Sequence, residues 1–245
     1  MKTVVALCAA IGVITVAATM ATGHRGPIVA DSEYGERLVT DTQQYLGPDA
    51  PDPRMRFTAT RRACASCHIG AGREQGELSL VGAIGSHPND IVDRINGCMI
   101  RNMDGRPLPP DGPEMMAIVS WLRFLADEDA ATGAGQRQAH DPPVFRTPDR
   151  VANPEAGERL FVKRCADCHG KDGAGLPASR SLAQGYLFPP LWGRDSFTDG
   201  SEMHRVPVAA RFIKAKMPLG RPDLDDEQAF DIAAFIDSKP RPHPQ

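Results

Sequence analysis

Apolar residues recur at helical spacing in the first half of the chain, between stretches that are rich in glycine and polar residues. This spacing predicts a helix over residues 33–46 and a stronger helix over 111–127, with a further segment at 90–103 between them. Asp111 is positioned to cap the stronger helix, and Pro113 suits its first turn. The pattern therefore predicts a first helical unit that closes with this helix.

The second half repeats the same order of elements. Asn153 and Pro154 give a helix cap followed by a first-turn proline. Residues 208–216 have the apolar spacing of a helix, and Asp225 with Gln228 forms a capping-box-like start to a last helix. The second half is therefore predicted to be a second helical unit.

Two regions lack apolar periodicity. Residues 131–150 are rich in glycine and proline and are predicted to be a linker, and residues 170–200 are predicted to be irregular. The linker divides the chain into an N-terminal domain at 24–130 and a C-terminal domain at 151–245. The predicted fold class is all-α, with two tandem domains.

Residues 1–23 have the organisation of a secretory signal peptide. A charged start at Lys2 precedes an apolar run from Thr3 to Met20, and small residues follow it. The run is near the lower length limit for a membrane span, so an uncleaved anchor is the alternative. No second apolar run follows, so we expect a periplasmic protein without stable membrane insertion. The net charge of −3 does not favour nucleic acid as a partner.

One short motif occurs twice, at Cys64-Ala-Ser-Cys67-His68 and at Cys165-Ala-Asp-Cys168-His169. Two cysteines three positions apart and followed by histidine are the attachment signature of c-type haem. The two thiols add to the vinyl groups of one porphyrin, and the imidazoles of His68 and His169 are then placed to bind iron. A zinc site would need a second cluster of cysteine and histidine beside each motif, and the sequence has none. We therefore expect two tandem class I-like cytochrome c domains, each wrapped around one covalent haem c.

The second haem needs another axial ligand, and the sequence offers Met217 in Lys216-Met217-Pro218. This methionine follows one predicted helix and precedes the last, as in small electron-transfer cytochromes, and a thioether raises the haem potential. Lys216 is adjacent and is an alternative iron ligand if the loop shifts, although a solvated charge is its simpler interpretation. Met203 and His204 are weaker candidates, because a helix must still follow them.

Cys98 is left over when Cys8 of the N-terminal segment and the four motif cysteines are set aside. A buried structural cysteine is the simpler interpretation. The alternative is a thiolate ligand of the first haem that stays nucleophilic, since nearby guanidiniums favour the thiolate over the thiol. Guanidiniums also suit the binding of a small oxyanion. Those that flank the thiol belong to Arg94, Arg101 and Arg106. The competing ligands of the first haem are Met99, Met103, Met115 and Met116.

Longer strings extend across both halves of the chain, and with them the chain resembles the dihaem thiosulfate dehydrogenases. These enzymes couple two thiosulfates into tetrathionate, and some run in reverse. The strings are Arg94-x-Asn96-Gly97-Cys98, Met103-x-Gly105-Arg106-Pro107-Leu108-Pro109, Phe188-Pro189-Pro190-Leu191-Trp192-Gly193, Asp195-Ser196-Phe197-x-Asp199-Gly200 and Lys216-Met217-Pro218.

The resemblance implies roles for several residues. Cys98 would be the axial ligand of the first haem at the substrate site, and Arg94 would bind thiosulfate. Lys216 and Met217 would be alternative ligands of the second haem, with a switch linked to its redox state. Residues 188–192 would pack against that haem.

Three positions depart from the family pattern. Asn102 stands where the family has serine, and Met99 replaces an aromatic residue. The family also has a second arginine upstream of Arg94, and residues 86–89 provide no counterpart. The departures affect the substrate site and leave the haem-attachment motifs intact.

These observations predict an oxidoreductase whose two haems each hold one of the two electrons that tetrathionate formation releases. We expect the Cys98 sulfur to form a covalent adduct with one thiosulfate, which the second thiosulfate then attacks. Arg101 and Arg106 are assigned to anion binding by position alone. The electrons would pass to a soluble or membrane-bound cytochrome.

Two other functions remain open from the sequence. One is a non-catalytic dihaem electron carrier or dehydrogenase subunit, which predicts histidine and methionine ligands in both domains. The other is a sulfur-oxidation cytochrome that receives its substrate on a partner protein and also uses a cysteine ligand. Cys98 argues against the first, and the string at 188–193 argues against the second.

Overall fold

A computed structural model describes residues 31–86, 90–133, 144–180 and 182–244. The predicted signal segment at 1–23, Cys8, and residues 134–143 of the predicted linker lie outside the described residues. In the first half the helices are α1 (Ser32–Thr40), α2 (Thr42–Tyr45), α3 (Ala83–Ser86), α4 (Ile91–Met103) and α5 (Pro113–Thr132). In the second half they are α6 (Pro154–Arg164), α7 (Ala166–His169), α8 (Val206–Lys216) and α9 (Asp226–Asp237).

The first half is built on the crossing of α1 and α5. Gly35 of α1 lies directly on the backbone of α5, and a Cβ at this position would come within 2.1 Å of the Ala117 oxygen. Any larger residue would therefore push the two helices apart. Around the crossing, the core contains the fully buried side chains Leu38, Leu46, Leu108, Met115, Trp121, Leu122 and Leu125.

The second half repeats this crossing with α6 and α9. A Cβ at Gly157 of α6 would lie 2.0 Å from the backbone oxygen of Asp231 in α9. Phe161, one turn further along α6, is fully buried and packs against Phe235 with 5.4 Å between the ring centroids. A second hydrophobic core surrounds this crossing and includes Ala210, Ala229, Ile232 and Ala233.

Helix boundaries follow the sequence in most places. Asn153 caps α6 through a hydrogen bond from the Ala156 backbone N–H, and Asp225 with Gln228 forms the capping box of α9. The helix predicted at 33–46 is interrupted at Asp41. The all-α prediction is confirmed for the described residues, where the irregular region contributes only a short antiparallel pair, β1 (Leu176–Pro177) and β2 (Tyr186–Phe188).

One assigned cap was wrong. The residue that caps α5 is Gly112 instead of Asp111, while Pro113 occupies the first turn as predicted. Gly112 has an extended backbone and makes no side-chain capping bond, so the helix starts one residue later than an aspartate cap would require.

The two halves contact each other through ion pairs between α8 and the loop after the first haem motif. Arg211 Nε lies 2.9 Å from Glu77 Oε2, and Lys216 Nζ lies 3.1 Å from Glu74 Oε1. These ion pairs hold α8 against the loop that follows the first haem motif. In the part of the chain that the structure describes, no helix has the length and apolar character needed to cross a membrane.

Candidate functional site

The first Cys-x-x-Cys-His motif starts in a short 3₁₀ helix, Cys64–Ser66, that is fixed to α2. The backbone N–H of Cys64 donates to the hydroxyl of Thr42 over 3.0 Å, and this hydroxyl lies 3.3 Å from the Cys64 sulfur. His68 Nδ1 donates to the backbone oxygen of Leu78 over 2.7 Å. This bond sets the tautomer in which Nε2 carries a lone pair for a metal.

The second motif has the same arrangement. His169 ends α7, and its Nδ1 donates to the backbone oxygen of Pro189 over 2.8 Å. Burial lowers the pKa of both His68 and His169, so each imidazole is held in the neutral form that binds iron. Phe188 lies beside His169, with 6.3 Å between the ring centroids.

A cavity of about 450 Å³ lies between the two motifs. Its walls are mostly apolar and its size is that of a site for a large organic cofactor. Both halves of the chain contribute to it. The residues of the haem motifs and the predicted axial ligands that line it are Cys67, Cys165, Cys168, His169 and Met217. The residues of the string at 188–193 that line it are Phe188, Pro189, Pro190 and Leu191.

These residues fit haem c. Two cysteines, a neutral histidine with an oriented Nδ1–H and a facing methionine surround the cavity, which is the ligand set of a His/Met cytochrome. Among residues 31–86, 90–133, 144–180 and 182–244, no three His, Cys, Asp or Glu side chains are grouped to hold a metal ion.

Met217 and Lys216 point to different places. Met217 lines the cavity, whereas the Lys216 side chain is only 5% exposed and is held by the first half of the chain. Its amine donates to the backbone oxygen of Gln75 over 2.6 Å and pairs with Glu74. Of the two predicted ligands, only Met217 faces the second haem cavity in this arrangement.

Cys98 lies in α4 close to the first haem motif. The pKa of Cys64 is raised to about 12, mainly by burial and to a smaller extent by a negative charge on Cys98. Burial also raises the pKa of Cys67, and Cys98 acts on it in the same direction. The three sulfurs are therefore near neighbours, as expected if Cys98 binds the iron of the haem attached at Cys64 and Cys67.

The Cys98 thiol is under two opposing influences. Burial raises its pKa, which is the largest effect. A hydrogen bond from the Asn102 side chain lowers this pKa, as do the charges of Arg62 and Arg101. Iron binding would favour the same deprotonated form, because the thiolate is the metal ligand.

The arginines predicted from the sequence occupy different environments. The guanidinium of Arg101 folds over Gly97, where an added Cβ would lie 2.8 Å from Nη2. Arg94 is exposed one helical turn before Cys98. Arg106 is not among the charges that act on the thiol, and its guanidinium carbon lies 3.8 Å from the Phe57 ring centroid.

Sequence reasoning missed Arg62. Its side chain is buried, it lines the cavity, and it donates to the backbone oxygen of Asn102. Arg62 lies two positions before Cys64, the start of the first haem motif, and belongs to no string that marked it for anion binding. Its proximity to Cys98 depends on the packing of α4 against the motif, which no local pattern encodes.

Comparison with known proteins identifies the family. Residues 152–236 match the family described as cytochrome c oxidase, cbb3-type, subunit III. The thiosulfate dehydrogenase of Allochromatium vinosum is 37% identical over 235 residues, which cover 88% of this chain and 82% of that protein. The chain belongs to the thiosulfate dehydrogenase family. The family predicted from the sequence is confirmed, and this family member is an oxidoreductase.

Other members of the thiosulfate dehydrogenase family are also similar to this chain. The enzyme of Stutzerimonas stutzeri is 32% identical over 220 residues, which cover 86% of this chain and 67% of that protein. The solved thiosulfate dehydrogenase (TsdBA) from Marichromatium purpuratum, in its "as isolated" form, superimposes with a TM-score of 0.71 at 30% identity. The match covers 86% of this chain and 46% of that one, so this chain spans less than half of that structure. The cytochrome c domain implies haem c as the cofactor.

Proposed function

We propose that this protein is a dihaem enzyme that couples two thiosulfates into tetrathionate, in a reaction that can run in either direction. The observation that carries the proposal is the half-buried Cys98 thiol beside the first haem motif, with the charges of Arg62 and Arg101 acting on it. A plain electron carrier needs neither a nucleophilic sulfur nor an anion-binding guanidinium at its haem.

Each half would hold one haem c. Cys64 and Cys67 would attach the first, with His68 and Cys98 on its iron. The second would be attached at Cys165 and Cys168, with His169 and Met217 as iron ligands and Lys216 as the alternative ligand. When bound, the two haems supply two sites that each accept one electron.

The chemistry of the chain is centred on the Cys98 sulfur. In the first step, its thiolate and the outer sulfur of one thiosulfate form a sulfur–sulfur bond, and two electrons are released. In the second step, the outer sulfur of another thiosulfate attacks the sulfur bound to Cys98. The bond to Cys98 breaks, tetrathionate leaves, and the thiolate is restored. Dividing the reaction in this way replaces one difficult step by two easier ones.

The arginines serve to bring two dianions together. Thiosulfate carries two negative charges, so two molecules in one pocket repel each other unless cations offset the charge. Arg62 and Arg101 are the guanidiniums that act on Cys98, and exposed Arg94 lies one turn away on the same helix. We assign thiosulfate binding to these three residues.

The location and the electron acceptor complete the proposal. Residues 1–23 are assigned as an export signal, and covalent haem attachment needs an export route, so we place the enzyme in the periplasm. The acceptor would be a soluble or membrane-bound cytochrome that takes electrons from the second haem. Haem-stained protein in the periplasmic fraction would support the location, and haem-stained protein confined to the cytoplasm would contradict it.

Optical spectroscopy of the oxidised holoprotein tests the reaction. Thiosulfate should produce ferrous haem bands in the wild type, and tetrathionate should remove them from the reduced protein. Cys98→Gly should keep both haems, as shown by the mass of the intact chain, and lose the response to thiosulfate. Met99→Leu changes the neighbouring buried residue and should keep the response. Full thiosulfate-driven reduction in Cys98→Gly would refute the proposal.

A further inference from the structure

A loop of the second half holds the end of α4, the helix that carries Cys98. Thr198 is fully buried, and its hydroxyl donates to the backbone oxygen of Arg101 over 2.5 Å. The Thr198 backbone N–H lies 3.3 Å from the same oxygen. The string at 195–200 therefore contacts the first haem site, although it lies in the other half of the sequence.

Ser201 extends this contact to a side chain. It is 3% exposed, and its hydroxyl oxygen accepts the Met203 backbone N–H over 3.0 Å. The same hydroxyl donates to the Asn102 side-chain oxygen. The serine is thus held by its own loop while it fixes one end of the asparagine amide.

The polarity of the Asn102 amide follows from these bonds. An asparagine carries its acceptor oxygen and its donor nitrogen on opposite sides of the amide carbon. With the oxygen held by Ser201, the NH₂ group is left as the donor toward the Cys98 sulfur, which lies one helical turn earlier on α4. The Asn102 backbone oxygen accepts from Arg62. Asn102 is therefore fixed through its side-chain oxygen and its backbone oxygen, with its NH₂ group directed toward the thiol.

We propose that Asn102 is a positioning residue, oriented by Ser201, whose hydrogen bond to the Cys98 sulfur lets the second half of the chain set the properties of the first haem. This inference rests on the proposed function, in which Cys98 binds the iron. The sequence pattern marked Asn102 only as a departure from the serine of the family.

The hydrogen bond has a definite electronic effect. A donor that faces a thiolate draws negative charge away from the metal, so the ferric state is stabilised less and the potential rises. Loss of the bond should therefore lower the potential of the first haem. Loss of the Ser201 hydroxyl should act in the same direction and by less, because Asn102 then turns more freely but keeps its donor.

The test uses holoproteins of the wild type, Asn102→Leu and Ser201→Ala. Redox titration is followed by electron paramagnetic resonance, which separates a sulfur-bound haem from a His/Met haem. Both variants should lower the midpoint potential of the sulfur-bound haem and leave that of the other haem unchanged. Residues that hydrogen-bond to a metal ligand typically contribute about 10-fold or more to activity, so kcat should fall about 10-fold in Asn102→Leu. Ser238→Ala removes a hydroxyl bonded within α9 and should change neither quantity.

The outcomes separate the two claims. If the wild type shows a sulfur-bound haem and both variants keep its potential, the role of Asn102 is overturned while the proposed function stands. If the wild type shows no sulfur-bound haem, the proposed function is overturned and this inference with it. If Asn102→Leu does not yield folded protein, Ser201→Ala decides. An unchanged midpoint potential of the sulfur-bound haem in Ser201→Ala would overturn the proposed role of Asn102, and a lowered potential would support it.

Discussion

The amine of Lys216 lies 2.6 Å from the backbone oxygen of Gln75, a residue 141 positions earlier in the chain. The residue next to Met217 is thus anchored in the other half of the protein. In its proposed role as an alternative iron ligand, Lys216 would reach the second haem only after this bond and the ion pair to Glu74 break. Any exchange of Met217 for Lys216 is therefore coupled to the contact between the halves.

This anchor should be measurable as stability. We expect Lys216→Met to lower the free energy of unfolding by about 1–3 kcal/mol, because the Gln75 oxygen loses its donor in a part-buried site. Arg211→Gln is the matched control on the same helix. Its side chain is 53% exposed, so loss of its ion pair with Glu77 should cost about 0–1 kcal/mol. Urea unfolding of the holoproteins measures both, and equal losses would contradict the anchor.

The two glycine crossings give a second prediction. We expect Gly35→Ala and Gly157→Ala each to destabilise the protein by about 1–3 kcal/mol or more, because the new Cβ overlaps a backbone oxygen of the facing helix. Gly85 has open space around its Cβ position, so Gly85→Ala should not be destabilising. Thermal unfolding of the three variants tests this. Wild-type stability in Gly157→Ala would show that the helices separate at little cost.

The sequence revealed local structure better than it revealed contacts between distant residues. The caps at Asn153 and Asp225 and the haem motifs were visible because each depends on residues a few positions apart. The cap of α5 was misassigned because Asp111 and Gly112 are both acceptable caps and packing decides between them. Contacts such as Thr198 with Arg101 join residues 97 positions apart, and no periodicity records them.

The arginines near the thiol predict different kinetic effects. Arg62→Gln and Arg101→Gln should each lower kcat/KM for thiosulfate by about 10–100-fold, since a charge-assisted hydrogen bond contributes about 1.5–3 kcal/mol. Arg106 contacts Phe57 and the Arg54 backbone oxygen instead. Arg106→Gln should therefore stay within about threefold of the wild type. Steady-state kinetics with a soluble acceptor tests this, and a larger loss in Arg106→Gln would reverse the assignment.

Asp237 predicts a pH dependence of stability. Both of its carboxylate oxygens are buried without a hydrogen-bond partner, and burial raises its pKa to about 6 despite the nearby charge of Arg241. The usual value is about 3.9, so between pH 4 and 6 the folded state binds more protons than the unfolded state. The contribution of this group to stability is therefore present below pH 4 and is lost as the pH rises through 6.

The variant Asp237→Asn isolates this effect. The free energy of unfolding of the variant minus that of the wild type should be about 2–3 kcal/mol larger at pH 8 than at pH 4, because the amide does not ionise. Urea midpoints of both holoproteins at the two pH values give the difference. A difference that is the same at pH 4 and pH 8 would mean that Asp237 does not titrate in this range.

The proximal bonds of His68 and His169 both end on backbone oxygens, those of Leu78 and Pro189. A point mutation cannot delete a main-chain acceptor. Substitution of the Leu78 or Pro189 side chain would therefore leave in place the hydrogen bond that tunes how strongly each imidazole donates to iron. Under the proposed haem ligation, a difference in redox character between the two halves would then come mainly from the opposite side of each iron. There the proposed ligands differ, because Cys98 offers a thiolate and Met217 a thioether.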